Sequence, residues 1–220
     1  MGTLARSRLA GHPADQPQPQ PKVGGWHPSE WACELVGSAF QLFVGFSIVA
    51  VLEAPGAPGR SLVHSSDVRL VLIGAAFGIL AAIVALSPLG RRSGAHLNPA
   101  VTLGFFLRGH THRHDLIGYV LAQVAGALVA AAGFGAVWGS WAKKVDDART
   151  VPTNTISPWV AAGIEAGLTL ALLLVVFVMV SSPRTARWTP AVVIAVLSGL
   201  IWAGAPYTGA SMNPARTLRP

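Results

Sequence analysis

Two short stretches of the chain place a hydrogen-bonding amide beside a helix-starting proline within otherwise apolar sequence. They are SGAHLNPAVT at residues 93–102 and TGASMNPART at residues 208–217. Asparagine is favoured immediately before a helix, and proline suits the first helical position because the N–H that it lacks would have no partner there. Asn98-Pro99 and Asn213-Pro214 therefore each predict the start of a helix.

A helix that starts inside a membrane presents polarised N–H groups to its surroundings. Its end carries about half an elementary positive charge, and each unsatisfied N–H is costly in lipid unless protein or water bonds it. Two such ends predict a wet interior that repels cations and offers amide donors to a neutral oxygen atom. The small side chains of Ala100 and Ala215 would allow the two ends to meet.

The composition is typical of a membrane protein. Of the 220 residues, 52% are hydrophobic and 11% are charged, which is too apolar for an ordinary soluble domain. Lys and Arg outnumber Asp and Glu by 16 to 9, but they lie in short clusters between apolar segments, so we predict no binding of nucleic acid. We also predict no enzymatic activity and no cofactor. Cys33, the single cysteine, excludes an internal disulfide and a multi-cysteine metal cluster.

Five segments are long and apolar enough to cross a bilayer as helices, which takes about 20 residues. They cover residues 31–52, 70–89, 116–141, 159–181 and 188–205. The segments 93–107 and 207–218 are too short to cross and contain a proline where a helix would start. We predict that each is a re-entrant half-helix.

The order of these segments is span, span, half-helix, span, then span, span, half-helix. Glu34 and Glu165 occupy matching places in the first span of each set. Because a complete set holds an odd number of spans, the two sets must face opposite ways, as in inverted-repeat membrane proteins. The predicted fold is an all-α membrane protein with five spans and two half-helices, in which the sixth span is missing.

The predicted organisation along the chain has four parts. They are a Pro/Gln-rich disordered tail at 1–29, a first repeat at 30–142, an outer loop at 143–158 and an incomplete second repeat at 159–220. Positively charged residues next to the spans are more numerous on the side of the N-terminus, which predicts a cytoplasmic N-terminus. The residue usage, rich in Ala, Gly and Arg, favours the plasma membrane of a bacterium.

The paired Asn-Pro-Ala motifs, each within a longer matching context, resemble the twin boxes of the aquaporins, the major intrinsic protein family. The resemblance covers residues 31–218 and includes GYVLAQVAGA in the third span. It implies six spans, two half-helices and a homotetramer in the lipid bilayer with one pore per subunit. It also implies passive movement of water or small neutral solutes, with ions and protons excluded.

The resemblance further implies a selectivity filter near the outer mouth. By distance from the motifs, Arg216 matches the filter arginine, Ala210 the loop position, Ile201 the fifth-helix position and Phe77 the second-helix position. Strict water channels have a histidine where this chain has Ile201, and the glycerol-conducting subgroup has an aspartate where it has Thr217. Water is therefore the first predicted solute, with glycerol, ammonia and hydrogen peroxide in addition.

Three further residues belong to the predicted site. Glu34 and Glu165 could form a proton relay, but we predict that they accept hydrogen bonds from the backbone of the two half-helix loops. His96 either lines the inner vestibule or bonds a loop carbonyl. For the run HTHRH, with His110, His112 and His114, we predict a solvated cytoplasmic turn rather than a metal site.

Two other functions fit parts of the pattern. A secondary transporter also uses inverted repeats and broken helices, but it needs a coupling-ion site. The spans offer just two carboxylates, Glu34 and Glu165, and both are better explained as supports of the half-helix loops. A structural family member or a truncated product would keep the fold without conducting.

Overall fold

A computed structural model describes residues 26–218, in which the backbone is helical apart from turns and loops. A 3₁₀ turn lies at Asp146–Ala148. The α-helices are α1 (Pro28–Glu53), α2 (Pro58–Leu62), α3 (Ser66–Leu86), α4 (Pro88–Ser93), α5 (Pro99–Leu107), α6 (Arg113–Trp138), α7 (Ser140–Lys143), α8 (Pro158–Val180), α9 (Pro183–Ala186), α10 (Thr189–Thr208) and α11 (Pro214–Thr217).

Five of these helices, namely α1, α3, α6, α8 and α10, are long and apolar enough to cross a membrane. They have 20 to 26 residues each and mean hydropathies between 1.7 and 2.4. The short helices α5 and α11 begin at Pro99 and Pro214 and follow the second long helix of each set. The predicted all-α fold, with five spans and two half-helices in this order, is confirmed.

The ends of the spans differ from the predicted ends because local capping, not apolarity, sets them. The second span was predicted to reach residue 89, but α3 ends at Leu86. Ser87 is extended there, and its hydroxyl accepts the N–H of Leu89 in the first turn of α4, so that a new helix starts at Pro88. The third span was predicted to run to residue 141, but α6 ends at Trp138 and is capped by Gly139, which has φ 50°. Trp141 belongs to α7.

The predicted tail at 1–29 falls largely on residues 1–25, which lie outside the described part of the chain. Residues 28 and 29 belong instead to α1, which starts at Pro28. Proline needs no N–H partner at a first helical position, so the helix begins three residues before the predicted span.

The long helices contact one another closely where glycines face a neighbouring backbone. A Cβ on Gly126 of α6 would lie 2.5 Å from the carbonyl oxygen of Leu35 in α1, and a Cβ on Gly74 of α3 would lie 2.5 Å from that of Leu197 in α10. Small residues at such contacts are typical of helix packing in membranes. Such contacts join α1 to α6 and α3 to α10.

Candidate functional site

The N-terminal ends of α5 and α11 meet, and their asparagines join them. The side-chain oxygen of Asn98 accepts the N–H of Ala100 at 2.9 Å, and that of Asn213 accepts the N–H of Ala215 at 3.0 Å. Each asparagine therefore caps its own helix, as predicted from its position before proline.

The amide groups of the same asparagines cross to the opposite loop. Asn98 Nδ2 donates to the carbonyl of Met212 at 2.7 Å, and Asn213 Nδ2 donates to the carbonyl of Leu97 at 2.9 Å. A carboxamide carries two N–H donors, so one donor of each asparagine is not used in this reciprocal pair. Ala215 is 1% exposed at the contact between the ends, whereas Ala100 is half-buried.

The two loops before the asparagines share one backbone conformation. Positive φ angles occur at the same three positions of each loop, at Gly94 (91°), Ala95 (51°) and Leu97 (54°), and at Gly209 (78°), Ala210 (46°) and Met212 (51°). Non-glycine residues adopt such angles rarely and only where the surroundings hold them. The matching pattern is the local signature of the internal repeat.

A glutamate holds each strained loop. Glu34 of α1 accepts the N–H groups of His96 at 3.0 Å and Leu97 at 2.7 Å. Glu165 of α8 accepts the N–H groups of Ser211 at 2.9 Å and Met212 at 2.8 Å. Buried backbone donors need such partners, so the two carboxylates occupy equivalent supporting places.

Three polar side chains in these networks, Gln123, Thr102 and Thr208, were not among the predicted site residues. Gln123 of α6 is fully buried and donates both to Glu34 at 2.8 Å and to the hydroxyl of Thr102 at 3.0 Å. Thr208 of α10 donates to Glu165 at 2.6 Å. The signal that could have identified Gln123 was a lone amide inside an apolar span, because such a group must find a partner in lipid.

The four predicted filter residues lie together. The guanidinium carbon of Arg216 is 4.7 Å from the centre of the Phe77 ring, a cation–π distance. Arg216 Nη1 also donates to the carbonyl of Ala210 at 3.3 Å. Phe77, Ile201 and Arg216 line one cavity. Ala210 is fully buried beside it and takes part through its backbone carbonyl rather than its methyl group.

His96 lines the same cavity on the side of α5. Its ring is stacked on Phe105 with the centres 4.8 Å apart, and its Nδ1 lies 3.2 Å from the hydroxyl of Thr102. This hydroxyl stands in the place of the loop carbonyl that was predicted as the alternative partner.

The cavity has a volume of about 310 Å³ and is bounded by α1, α3, α8, α10 and both half-helix loops. Its polar groups are few and include both asparagines, His96 and Arg216. A mostly apolar channel with a few converging donors suits a small neutral molecule that can accept hydrogen bonds.

The three histidines of the run at 110–114 lie outside the cavity. The rings of His112 and His114 pack edge to face with centres 4.8 Å apart, the His114 ring stacks on Trp26, and His110 is exposed.

Comparisons with known proteins agree on one family. The family described as Major intrinsic protein matches residues 28–220. Aquaporin TIP4-1 from Zea mays is 32% identical over 192 residues, covering 85% of this chain and 71% of the relative. Glycerol uptake facilitator protein-like 6 from Lactiplantibacillus plantarum is 29% identical over 196 residues, covering 87% and 82%. The X-ray structure of the aquaglyceroporin from Plasmodium falciparum superposes with a TM-score of 0.67 at 24% identity, covering 86% of this chain and 78% of that one.

Proposed function

The chain belongs to the major intrinsic protein family, and on this premise we propose that it conducts water passively across a membrane. Members of this family are passive channels in membranes rather than enzymes, so the prediction that the chain is not an enzyme is confirmed. The proposal concerns the solute, the filter and the roles of the named residues.

The reciprocal asparagine pair is the observation that carries the proposal. Both asparagines line the cavity, and each has a second amide N–H group beyond the one used in the pair. A water oxygen can accept a hydrogen bond from these groups in place of its hydrogen bonds to other water molecules. The positive end of α5 opposes a cation at this junction, and the charge of Arg216 opposes one at the filter. This combination favours an uncharged molecule with an exposed oxygen atom over an ion.

The filter supports small uncharged solutes besides water. Ile201 contributes an apolar wall opposite Arg216, and Phe77 contributes another. A solute with one apolar and one polar side, such as glycerol, can place its hydroxyls toward Arg216 and its carbons toward Ile201. Ammonia and hydrogen peroxide are small enough to follow the same path.

The assembly and location that we propose follow from the family resemblance and from the charges beside the spans. The protein is a homotetramer with one pore in each subunit, in the plasma membrane of a bacterium, with its N-terminus in the cytoplasm. Within each subunit, the repeats at 30–142 and 159–220 are joined by the outer loop at 143–158.

A bulky side chain at the filter tests the conduction path. We expect Ile201→Trp to reduce osmotic water flow in proteoliposomes to the rate of protein-free liposomes, because Ile201 is 3% exposed and lines the cavity. Ala203→Trp adds the same side chain to an exposed position of the same helix and should keep the wild-type rate. Stopped-flow light scattering measures both.

The same vesicles separate the channel from a transporter. Flow that rises in proportion to the osmotic gradient and does not respond to a proton gradient agrees with a channel. Saturation, or equal rates for the wild-type protein and Ile201→Trp, would contradict the proposed function.

A polar filter residue tests the choice of solute. We expect Ile201→His to raise the ratio of water to glycerol permeability by about tenfold. The substitution removes the apolar wall that fits the carbons of glycerol, and the loss of such a contact changes the preference between two solutes by about that factor. The measurement is glycerol and water flow in parallel stopped-flow experiments. Ile201→Leu keeps the apolar wall and should keep the wild-type ratio; an unchanged ratio in Ile201→His would show that this position does not select solutes.

A further inference from the structure

Three side chains of the types that bind transition metals converge at one rim of the helix bundle, away from the cavity. His27 lies immediately before α1, Glu30 lies in its first turn, and Asp115 lies in the first turn of α6. One ligand atom from each residue lies within 4.8 Å of the other two. In the sequence, Asp115 is 88 residues from His27, so no motif brings them together.

The distances between these atoms suit a shared ion. His27 Nδ1 lies 2.9 Å from Asp115 Oδ2 and 3.6 Å from Glu30 Oε2. Zinc with ligands at about 2.0–2.1 Å in a tetrahedral arrangement separates its ligand atoms by roughly 3.4 Å. The two separations from His27 lie on either side of that value, and all three ligand atoms lie within 4.8 Å of one another, so modest side-chain rotations would bring the two carboxylates close enough to complete the ligand set.

The site is sheltered and one of its carboxylates is oriented by a further group. Glu30 and Asp115 are 7% and 6% exposed, and the His27 side chain is 11% exposed. Trp31 Nε1 donates to Asp115 Oδ1 at 3.0 Å, which fixes this carboxylate with its two oxygens 3.0 Å and 2.9 Å from His27 Nδ1. Supporting hydrogen bonds of this kind are typical of metal ligands and raise affinity.

We propose that His27, Glu30 and Asp115 bind a divalent transition metal of the zinc class, with the remaining position open to water. One imidazole and two carboxylates favour zinc over magnesium and calcium, which prefer sets made of oxygen ligands. The ion replaces the hydrogen bond between His27 and Asp115. It ties the start of α1 to the start of α6 at the rim of the bundle.

Metal titration of the purified full chain, with any polyhistidine tag removed, tests the site. Isothermal titration with Zn²⁺ should show tight binding that Mg²⁺ does not reproduce. We expect His27→Asn to weaken Zn²⁺ binding by at least about tenfold, because asparagine can keep a hydrogen bond to Asp115 but is a poor zinc ligand. Asp147→Asn, in an exposed pair with Lys143, is the matched control and should bind as the wild type does.

Two more variants separate ligand chemistry from packing and from the histidine run. His27→Cys replaces one zinc ligand by another and should keep tight Zn²⁺ binding while His27→Asn loses it. A triple change of His110, His112 and His114 to Gln should leave binding intact. The proposal is overturned if His27→Asn binds Zn²⁺ as the wild type does, if His27→Cys loses binding while monodisperse in detergent, or if the triple variant abolishes it.

Discussion

Replacing Glu34 by alanine is expected to lower the stability of the folded protein by about 3–9 kcal/mol, since it leaves three sheltered donors without their acceptor at roughly 1–3 kcal/mol each. The donors are the N–H groups of His96 and Leu97 and the amide of Gln123. Glu34 is fully buried, so water cannot replace its carboxylate without opening the packing of α1 against α6. The strained backbone at Leu97 loses its restraint at the same time.

The midpoint of thermal unfolding in detergent, followed by tryptophan fluorescence, measures this effect. Val36→Ala is the control, because Val36 lies two residues away on the same helix and is 49% exposed. The unfolding midpoint of Glu34→Gln should lie between those of Glu34→Ala and Val36→Ala. Glutamine keeps one acceptor oxygen, but it presents an amide N–H group to a backbone donor. An unfolding midpoint for Glu34→Ala equal to that of Val36→Ala would show that the carboxylate does not hold the loop.

Replacing Arg216 by valine is expected to make the channel leak cations and protons while water flow continues. A unit charge about 5 Å from a passing cation opposes it by about 3 kcal/mol at an effective dielectric constant near 20. Removing that barrier corresponds to roughly a hundredfold faster passage. The ring of Phe77, which faces the guanidinium at 4.7 Å, then lines a wider and uncharged opening.

Proton leak in proteoliposomes, reported by an internal pH-sensitive dye under a potassium diffusion potential, measures the change. Arg216→Lys keeps the charge and should keep the leak low, although its ammonium group cannot reproduce the planar contact with Phe77. Thr217→Ala alters the adjacent exposed residue and serves as the control. A leak of Arg216→Val no greater than that of Thr217→Ala would remove Arg216 from the proposed barrier.

Sequence features predicted the existence and order of the helices more accurately than their ends. The span at α6 was evident from apolarity, but its end at Trp138 depends on the backbone angle of φ 50° at Gly139, and the end of α3 depends on Ser87, which caps the start of a new helix. The length of an apolar segment reflects the thickness of the bilayer, whereas the residue at which a helix ends is set by one or two local hydrogen bonds.

The predicted site residues are positioned near one another, although their roles in conduction stay predictions. The Asn-Pro-Ala motif and a membrane glutamate each occur once in both repeats, and this repetition was sufficient to identify four candidate site residues, Asn98, Asn213, Glu34 and Glu165. Gln123 was missed because a single polar residue in a span has many potential partners, and its contact with Glu34 spans 89 positions of the chain.

The sequence by itself determined which segments are apolar enough to cross a membrane, where proline and asparagine start a helix, and that the pattern occurs twice. These properties depend on residues close together along the chain. The tertiary structure decided that Asn98 bonds Met212 and Asn213 bonds Leu97, across 114 and 116 positions, and that His27 meets Asp115. Such contacts depend on how the packed helices place each loop, because a hydrogen bond or a metal site requires distances set by every helix that supports it.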